Sequence, residues 1–131
     1  MNYKEDIVIN QNNLEDELVN QPFLYMRYAE RYAQYIQKKS HVEEYIRILK
    51  AQLFAEAKDD WRSIWGHKPT EYEIKGWVET NDKLCKARGD LIEVEYKVNM
   101  YSSILQALMQ RKSVLSSLVQ MKISGIYSTP R

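Results

Sequence analysis

The chain contains very little cysteine, glycine or proline: one Cys, four Gly and three Pro among 131 residues. The single thiol, Cys85, cannot form an internal disulfide, and we expect it to be a buried structural residue within a helix. Gly66 and Gly76 stand alone, so the sequence offers no glycine-rich loop of the kind that cradles phosphate groups. These absences exclude a disulfide-stapled fold and a phosphate-binding P-loop.

Candidate catalytic and metal-binding groups are also scarce. His41 and His67 are far apart, with no cysteine or paired carboxylate at the spacing that zinc ligands require. Neighbouring carboxylates such as Glu43 and Glu44 point apart on a helix, so they do not form an acid and base pair. We therefore expect no enzymatic activity, no metal site and no cofactor.

The sequence has neither a signal peptide nor an apolar run long enough to cross a membrane. With its lone cysteine, this predicts a soluble, cytoplasmic protein that does not associate with membranes. Basic and acidic residues nearly balance, 19 against 18, and the formal net charge of +1 signals no anionic partner by itself.

Charge is nevertheless distributed unevenly along the chain. Residues 1–21 contain five acidic residues against Lys4, whereas no acidic residue follows Glu95. The basic residues of this last part stand unopposed in the sequence: Lys97, Arg111, Lys112, Lys122 and Arg131. This asymmetry favours head-to-tail contact between subunits or an anionic partner, with solvated surface charge as the alternative.

Sparse glycine and proline predict an all-α fold made of long helices. Asn20 is placed to cap a helix that carries Pro22 in its first turn and runs to Gly66, a length of about 40 residues. Thr70 and Glu73 have the spacing of a capping box, which predicts a short connecting helix after the loop.

A second long helix, again of about 40 residues, is predicted after the short one by the same apolar periodicity. Apolar residues recur at three- and four-residue steps, or their sum, in the first long segment: Tyr25, Tyr28, Tyr32, Tyr35, Val42, Ile46, Leu49 and Leu53. The second segment repeats the spacing, with a break at Lys112: Leu84, Ala87, Leu91, Val94, Val98, Tyr101, Leu105, Leu108, Leu115 and Leu118. Two such seams predict an antiparallel helical hairpin.

A hairpin is too thin to cover the apolar residues that lie beside its own seam. The surplus predicts self-association, with an interface formed by Leu105, Leu108, Tyr101, Ile104 and Leu115. The alternative is a compact three-helix monomer with one kinked helix. By position, we expect a polar acidic N-terminal segment at residues 1–21, whose order the sequence leaves open, a helical domain at 22–124 and a short tail at 125–131.

One stretch of the first long helix combines cations with aromatic residues. On a helical projection, its basic residues fall within an arc of about 140°: Lys39, Arg47, Lys50, Lys58 and Arg62. Phe54 and Trp61 project into the same arc, and cations interleaved with aromatics are typical of surfaces that bind single-stranded nucleic acid. Glu43 also projects there, so a solvated face of mixed charge is the alternative.

The run YIQKKSHVEEYIRILKAQLFAEAK, residues 35–58, resembles the characteristic helical segment of UvsY-type phage recombination mediator proteins. That segment carries an aromatic residue, a basic and serine pair, an Ala-Gln step and a basic motif. Identical residue types occur here at Lys38, Ser40, Ala51, Gln52 and Lys58. A weaker similarity continues through DLIEVEYKVNMYSSILQAL, residues 90–108, and the chain is close to the family's length.

The resemblance implies an all-α protein that forms a ring-like homo-oligomer and binds single-stranded DNA. It also implies partnership with a RecA-like recombinase, which the protein helps to load onto strands covered by single-strand-binding protein, in the host cytoplasm if the protein is phage-encoded. Lys58 matches the lysine of the family's Lys-x-Arg DNA-binding motif, but Asp60 occupies the arginine position and Arg62 would have to replace it. The competing interpretation is a structural coiled-coil scaffold or assembly adaptor that does not bind nucleic acid.

Overall fold

A computed structural model describes residues 2–125 of the chain. The elements follow in the order α1 (Tyr3–Asp6), a 3-10 turn (Gln11–Asn13), α2 (Leu14–Asp59), α3 (Trp61–Ile64), α4 (Glu71–Glu79) and α5 (Asp82–Ile123). No strand occurs between residues 2 and 125, and the predicted all-α class is confirmed for that range. Of the predicted tail at 125–131, all but Gly125 lies outside the described residues.

The chain divides into two compact units, one made of Met1–Gln34 with Val98–Arg131 and the other of Tyr35–Lys97. We call them the terminal unit and the central unit. Both long helices contribute residues to both units. The expected boundary between residues 21 and 22 falls inside α2, and that division of the chain, like the hairpin, stays a prediction.

The central unit has an apolar core to which three helices contribute. Its buried residues are Leu49, Leu53 and Ala57 of α2, Ile74 and Val78 of α4, and Leu84 and Ala87 of α5. Trp65 and Trp77 pack at the edge of this core with their ring centroids 5.9 Å apart. Leu49, Leu53, Leu84 and Ala87 of this core belong to the two predicted seams, because three- and four-residue steps place side chains on one face of a helix.

The predicted capping box at the start of α4 is confirmed. The Glu73 backbone N–H donates to the Thr70 hydroxyl at 3.1 Å, and the Thr70 backbone N–H donates to the Glu73 carboxylate at 3.3 Å. His67 lies 3.0 Å from the other carboxylate oxygen of Glu73 and holds its pKa below the usual range. These contacts satisfy backbone donors that would otherwise lack partners at the helix start.

The first long helix ends earlier than predicted. Helix α2 stops at Asp59, Asp60 leaves helical geometry with φ −106° and ψ 21°, and α3 continues for only four residues. Adjacent carboxylates at a helix C-terminus oppose the negative end of the helix dipole, and aspartate favours caps and turns over helix interiors. Gly66, at φ +76°, follows α3 in the left-handed conformation that glycine adopts without a steric penalty.

The predicted start of this helix at Asn20 was wrong, because α2 begins at Leu14 and continues through Pro22. A proline inside a helix removes one backbone hydrogen bond and costs about 3 kcal/mol. Leu14 is buried, and Gln21, next to the proline, donates a buried side-chain hydrogen bond of 2.7 Å to the Leu108 carbonyl. These tertiary contacts in the terminal unit offset the free-energy cost of a proline inside the helix. Because of that cost, the sequence alone predicts Pro22 in the first turn.

The core of the terminal unit is centred on Tyr28, Ile104 and Leu108. The Tyr28 hydroxyl donates to the Asp6 carboxylate at 2.5 Å, so α1 is tied to α2. Burial of the phenol, and then its contact with Asp6, raises the pKa of Tyr28 far above its usual value. Residues before α2 are therefore part of this core.

Arg111 was expected to be an unopposed cation, and the structure corrects this. Its side chain is buried, and the guanidinium donates to the Glu17 carboxylate and to the Gln21 side-chain oxygen. A third hydrogen bond of 3.3 Å reaches the Val8 carbonyl. The acidic N-terminal region and the basic C-terminal region thus meet within one chain, and Arg111 is not available to an external anion.

The expectation that Cys85 is buried was also wrong. The residue is exposed on α5, with its thiol 3.8 Å from the Glu79 carbonyl. Leu84 and Ala87, its neighbours in the seam, occupy the buried face, and a residue one step after Leu84 projects about 100° away from it.

The buried charge in the terminal unit generates a stability prediction. Replacing Glu17 by alanine leaves the Arg111 guanidinium buried without its counter-ion, which should cost about 3 kcal/mol of unfolding free energy. The double variant Glu17→Ala/Arg111→Met removes the stranded charge and should be more stable than Glu17→Ala alone. Urea denaturation followed by circular dichroism measures both values.

Glu15→Ala is the matched control, because Glu15 is an exposed carboxylate in the same helical turn. It should change the unfolding free energy by less than about 0.5 kcal/mol. Equal losses for Glu15→Ala and Glu17→Ala would contradict the assigned role of the buried pair.

Candidate nucleic-acid interface

The residues predicted to contact nucleic acid lie in the central unit, on two helices instead of one. Lys39, Arg47, Lys50 and Lys58 are on α2, whereas Trp61 and Arg62 are on α3. Because the backbone leaves helical geometry at Asp60, the projection that placed Arg62 in one arc with the α2 cations does not hold beyond that residue.

Arg47 is exposed but already paired. Its guanidinium donates to both carboxylate oxygens of Glu44, at 3.0 Å from Nε and 2.5 Å from Nη2. The hydrogen bonds lower the pKa of Glu44 and raise the pKa of Arg47, so both groups stay charged at neutral pH. A phosphate would have to compete with Glu44 for this guanidinium.

Lys50 is part of a three-residue charge cluster. Its ammonium lies 3.9 Å from the Glu79 carboxylate, which also accepts a hydrogen bond from Arg88. The bond from Arg88, and to a smaller extent the charges of Arg88 and Lys50, lower the pKa of Glu79. Glu79 is the last residue of α4, so the packing of α4 determines where this counter-ion lies.

Lys58 and Arg62 are less compensated. Lys58 is exposed at the end of α2 and has no ion-pair partner among residues 2–125. The Arg62 guanidinium stacks over the Trp61 ring, 5.2 Å from its centroid, a cation–π contact that leaves both groups accessible. Trp61 is half-buried.

Other parts of the predicted arc have different roles. Phe54 packs against the core of the central unit, so its ring is a core residue and not a platform for bases. Lys39 is half-buried. Exposed acidic residues lie close in the sequence to the most accessible cations: Glu56, Asp59 and Asp60. The interface is therefore a surface of mixed charge with local basic points.

Residues 2–125 contain no group of three or more His, Cys, Asp or Glu side chains that could hold a metal ion. Within the same range, no helix combines the length and apolar character required to span a lipid bilayer. The chemistry that this surface offers is hydrogen bonding, charge and aromatic stacking.

The family model for "Recombination, repair and ssDNA binding protein UvsY" matches residues 2–123 of the chain. The chain belongs to the UvsY family. Two crystal structures of the bacteriophage T4 recombination mediator protein UvsY, in different lattices, are similar to it in fold. One has a TM-score of 0.75 with 18% sequence identity, covering 92% of this chain and 93% of the other.

The second T4 structure gives a TM-score of 0.74, again at 18% identity, with 92% and 90% of the two chains covered. At that identity the similarity shows a shared fold, and no curated protein matches the chain in sequence. In this UvsY family member, the Lys-x-Arg motif known from the resemblance is interrupted at Asp60, the residue directly after the end of α2.

The predicted oligomer-interface residues lie mostly inside the core of their own chain. Ile104, Leu108 and Leu115 are buried, and Tyr101 and Leu105 are half-buried. Side chains covered by their own chain offer little area to another subunit. Met109 and Val114, which neighbour these residues on α5, are exposed.

Sequence patterns missed a second group of cations and aromatic residues. Lys38 and Lys97 are exposed and, with Tyr35 and Tyr96, line a groove in the central unit. They come from α2 and α5, which are distant in the sequence, so projecting one helix could not reveal them. The available signal was the pairing of a tyrosine with a nearby lysine in each segment.

The Glu79 cluster generates a pH prediction. Folding lowers the pKa of Glu79, so its charged carboxylate stabilises the folded state at pH values above the pKa that Glu79 has in the unfolded chain. This stabilisation is lost as the pH falls through the acidic range. Glu79→Gln should therefore lose stability at pH 7 and show a shallower decline in acid. The pair is about one-third exposed, so we expect a loss of less than about 1 kcal/mol.

Urea denaturation at a series of pH values between neutrality and pH 3 measures this. Glu71→Gln is the control, because Glu71 is an exposed carboxylate at the other end of α4. If the unfolding free energies of Glu79→Gln and of the wild type declined equally as the pH fell, the pairing would not contribute to stability.

Proposed function

We propose that this protein binds single-stranded DNA as a homo-oligomer and acts as a recombination mediator. In this role it helps to load a RecA-like recombinase onto strands covered by single-strand-binding protein. The observation that carries the proposal is the family match over residues 2–123, whose family is described as binding single-stranded DNA. The accessible cations and stacked tryptophan at the junction of α2 and α3 supply chemistry suited to that ligand.

The contact surface we propose has Lys58 and Arg62 at its centre. Lys58 supplies an ammonium without a competing carboxylate partner, and Arg62 presents a guanidinium plane supported by Trp61. Unstacked bases stack on aromatic rings and on guanidinium planes, while phosphates attract the cations. Arg47 and Lys50 contribute once the strand displaces Glu44 or Glu79, and Lys39 lies further along α2.

A single copy of this surface binds weakly in this proposal. Asp59 and Asp60 lie between the two main cations in the sequence, and their negative charges reduce the local positive potential. Several copies that hold one strand together multiply weak contacts through effective concentration. A ring-like homo-oligomer of nearly neutral protomers can then hold a strand tightly, and bending the strand would disfavour the conformation held by single-strand-binding protein.

The subunit interface we propose lies on the terminal unit. It is next to the buried residues that the sequence had predicted as the interface, among them Ile104 and Leu108. Exposed apolar side chains occur there on α2 and α5: Leu18, Val19, Phe23, Met26, Met109 and Val114. Some of them line a groove of about 840 Å³ between the two helices, together with Pro22 and Tyr25. An exposed apolar surface of this extent is typical of protein interfaces.

A second function, that of a coiled-coil scaffold without nucleic-acid binding, would also use this apolar surface. The two proposals differ in their response to salt and to removal of cations in the central unit. A scaffold should not bind single-stranded oligonucleotides at physiological ionic strength, and its assembly should not depend on Lys58.

The main test removes two cations. For single strands, the slope of log K against log salt is about −0.7 per neutralised phosphate, so Lys58→Ala/Arg62→Ala should make the slope about 1.4 less steep. Affinity should fall for all sequences alike, with helicity and mass unchanged. Fluorescence anisotropy with labelled poly-dT, over a series of salt concentrations, measures the slope.

Lys4→Ala/Lys83→Ala is the matched control, because it removes two exposed lysines to which the proposal assigns no contact with DNA. Glu44→Gln should act in the opposite direction, since it releases Arg47 from its ion pair. A slope that is unchanged in Lys58→Ala/Arg62→Ala would refute the assignment of these residues as phosphate contacts.

The interface prediction uses Phe23, which is 70% exposed and can therefore be replaced without disturbing the core. Phe23→Asp should dissociate the assembly into smaller species, because it places a charge in the proposed apolar contact. DNA affinity should fall with it as avidity is lost. Light scattering measures the mass and circular dichroism checks helicity.

Tyr72→Asp is the control, since Tyr72 is a highly exposed aromatic on α4 in the central unit. It should leave the mass unchanged. If Phe23→Asp also retained the wild-type mass, the interface would have to be sought elsewhere on the chain.

A further inference from the structure

A second groove lies within the central unit, between α2 and α5. It has a volume of about 540 Å³ and is lined by seven residues: Tyr35, Lys38, Ile92, Glu93, Val94, Tyr96 and Lys97. Each helix contributes one tyrosine and one lysine. The family match and the resemblance give no role to this arrangement.

Exposure of the apolar groups is the first observation that points to a ligand. Ile92 is 68% and Tyr96 is 65% exposed, whereas Val94, also part of the lining, is buried. The groove therefore has a rim of aromatic and aliphatic side chains that face water. Tyrosine suits such a position, because its ring can stack on a flat partner while its hydroxyl remains hydrated.

Charge decides what kind of partner fits the rim. Lys38 and Lys97 are exposed, and neither has an ion-pair partner among the described residues. An apolar protein surface seated here would have to desolvate both ammonium groups, at a cost that contact with an anion avoids. Glu93 is the one acidic residue of the lining, so the groove is positive by one charge.

We propose that this groove is a second contact for single-stranded DNA, in which the tyrosines stack bases while Lys38 and Lys97 contact phosphates. Tyr96 is the main platform, because it is the more exposed of the two rings. Cationic grooves with aromatic platforms bind single strands without sequence preference. This inference rests on the proposed function and adds a site to it.

The position of the groove gives the proposal a length dependence. Lys38 and Lys58 are 20 residues apart on the continuous helix α2, which at 1.5 Å per residue is about 30 Å. A short oligonucleotide can occupy only one of the two sites in a protomer. A longer strand can reach both, so the groove should increase affinity more for longer strands.

The test compares variants of the groove in the full-length protein, with fluorescein-labelled oligo-dT of several lengths as the probe. Lys38→Ala/Lys97→Ala should make the salt slope about 1.4 less steep for long strands. The charge-matched control is again Lys4→Ala/Lys83→Ala. Glu93→Gln should tighten binding, because it removes the only anion of the lining.

Substitution of Tyr96 separates base stacking from apolar docking. Tyr96→Phe keeps the aromatic ring and should bind like wild type. Tyr96→Leu keeps an apolar side chain but loses the stacking surface, and should weaken binding of long strands by between about 5-fold and 100-fold. Circular dichroism and light scattering should show unchanged helicity and mass for both variants.

The proposal is overturned if Tyr96→Leu and Lys38→Ala/Lys97→Ala bind long oligo-dT like wild type while Lys58→Ala/Arg62→Ala loses affinity. It is also overturned if Tyr96→Leu changes the mass of the assembly with DNA affinity per protomer retained, because the groove would then be a protein contact. Failure of the wild-type protein to bind oligo-dT at all would instead overturn the proposed function.

Discussion

A guanidinium group can be buried in a protein only where most of its donors meet acceptors, and Arg111 imposes this constraint on the terminal unit. Its partners are Glu17 and Gln21 of α2 and the Val8 carbonyl before α2, while Arg111 itself lies on α5. One side chain thus joins three parts of the chain. The Nε atom is buried without a partner, a further cost that the surrounding apolar packing has to offset.

How much of this arrangement can be predicted from the sequence depends on how local its cause is. The apolar seams and the box formed by Thr70 and Glu73 follow from spacing within a few residues, and both were predicted. The pairing of Arg111 with Glu17 joins residues 94 positions apart, and neither has a local pattern that indicates burial. For the same reason Pro22 suggested a helix start, since its tolerance depends on contacts made by its neighbour Gln21.

The candidate site was predictable in composition but not in geometry. Spacing located the cations, yet it could not show that Glu44 neutralises Arg47 or that Glu79, from another helix, lies beside Lys50. Nor could it show that Asp60 ends α2 and thereby moves Arg62 onto a separate helix. Arg47 and Lys50 are thus paired with an acidic residue whereas Lys58 and Arg62 are not paired within residues 2–125, which explains how a chain of net charge +1 can still present local basic points.

The exposure of Cys85 has a practical consequence for counting subunits. The chain has one thiol, and it lies on the surface of α5 in the central unit, where a maleimide reagent can reach it. A fluorophore attached there would mark every copy once, without any substitution in the natural sequence. Stepwise photobleaching of single particles would then report directly how many polypeptides one assembly contains, and whether that number changes when a strand is added.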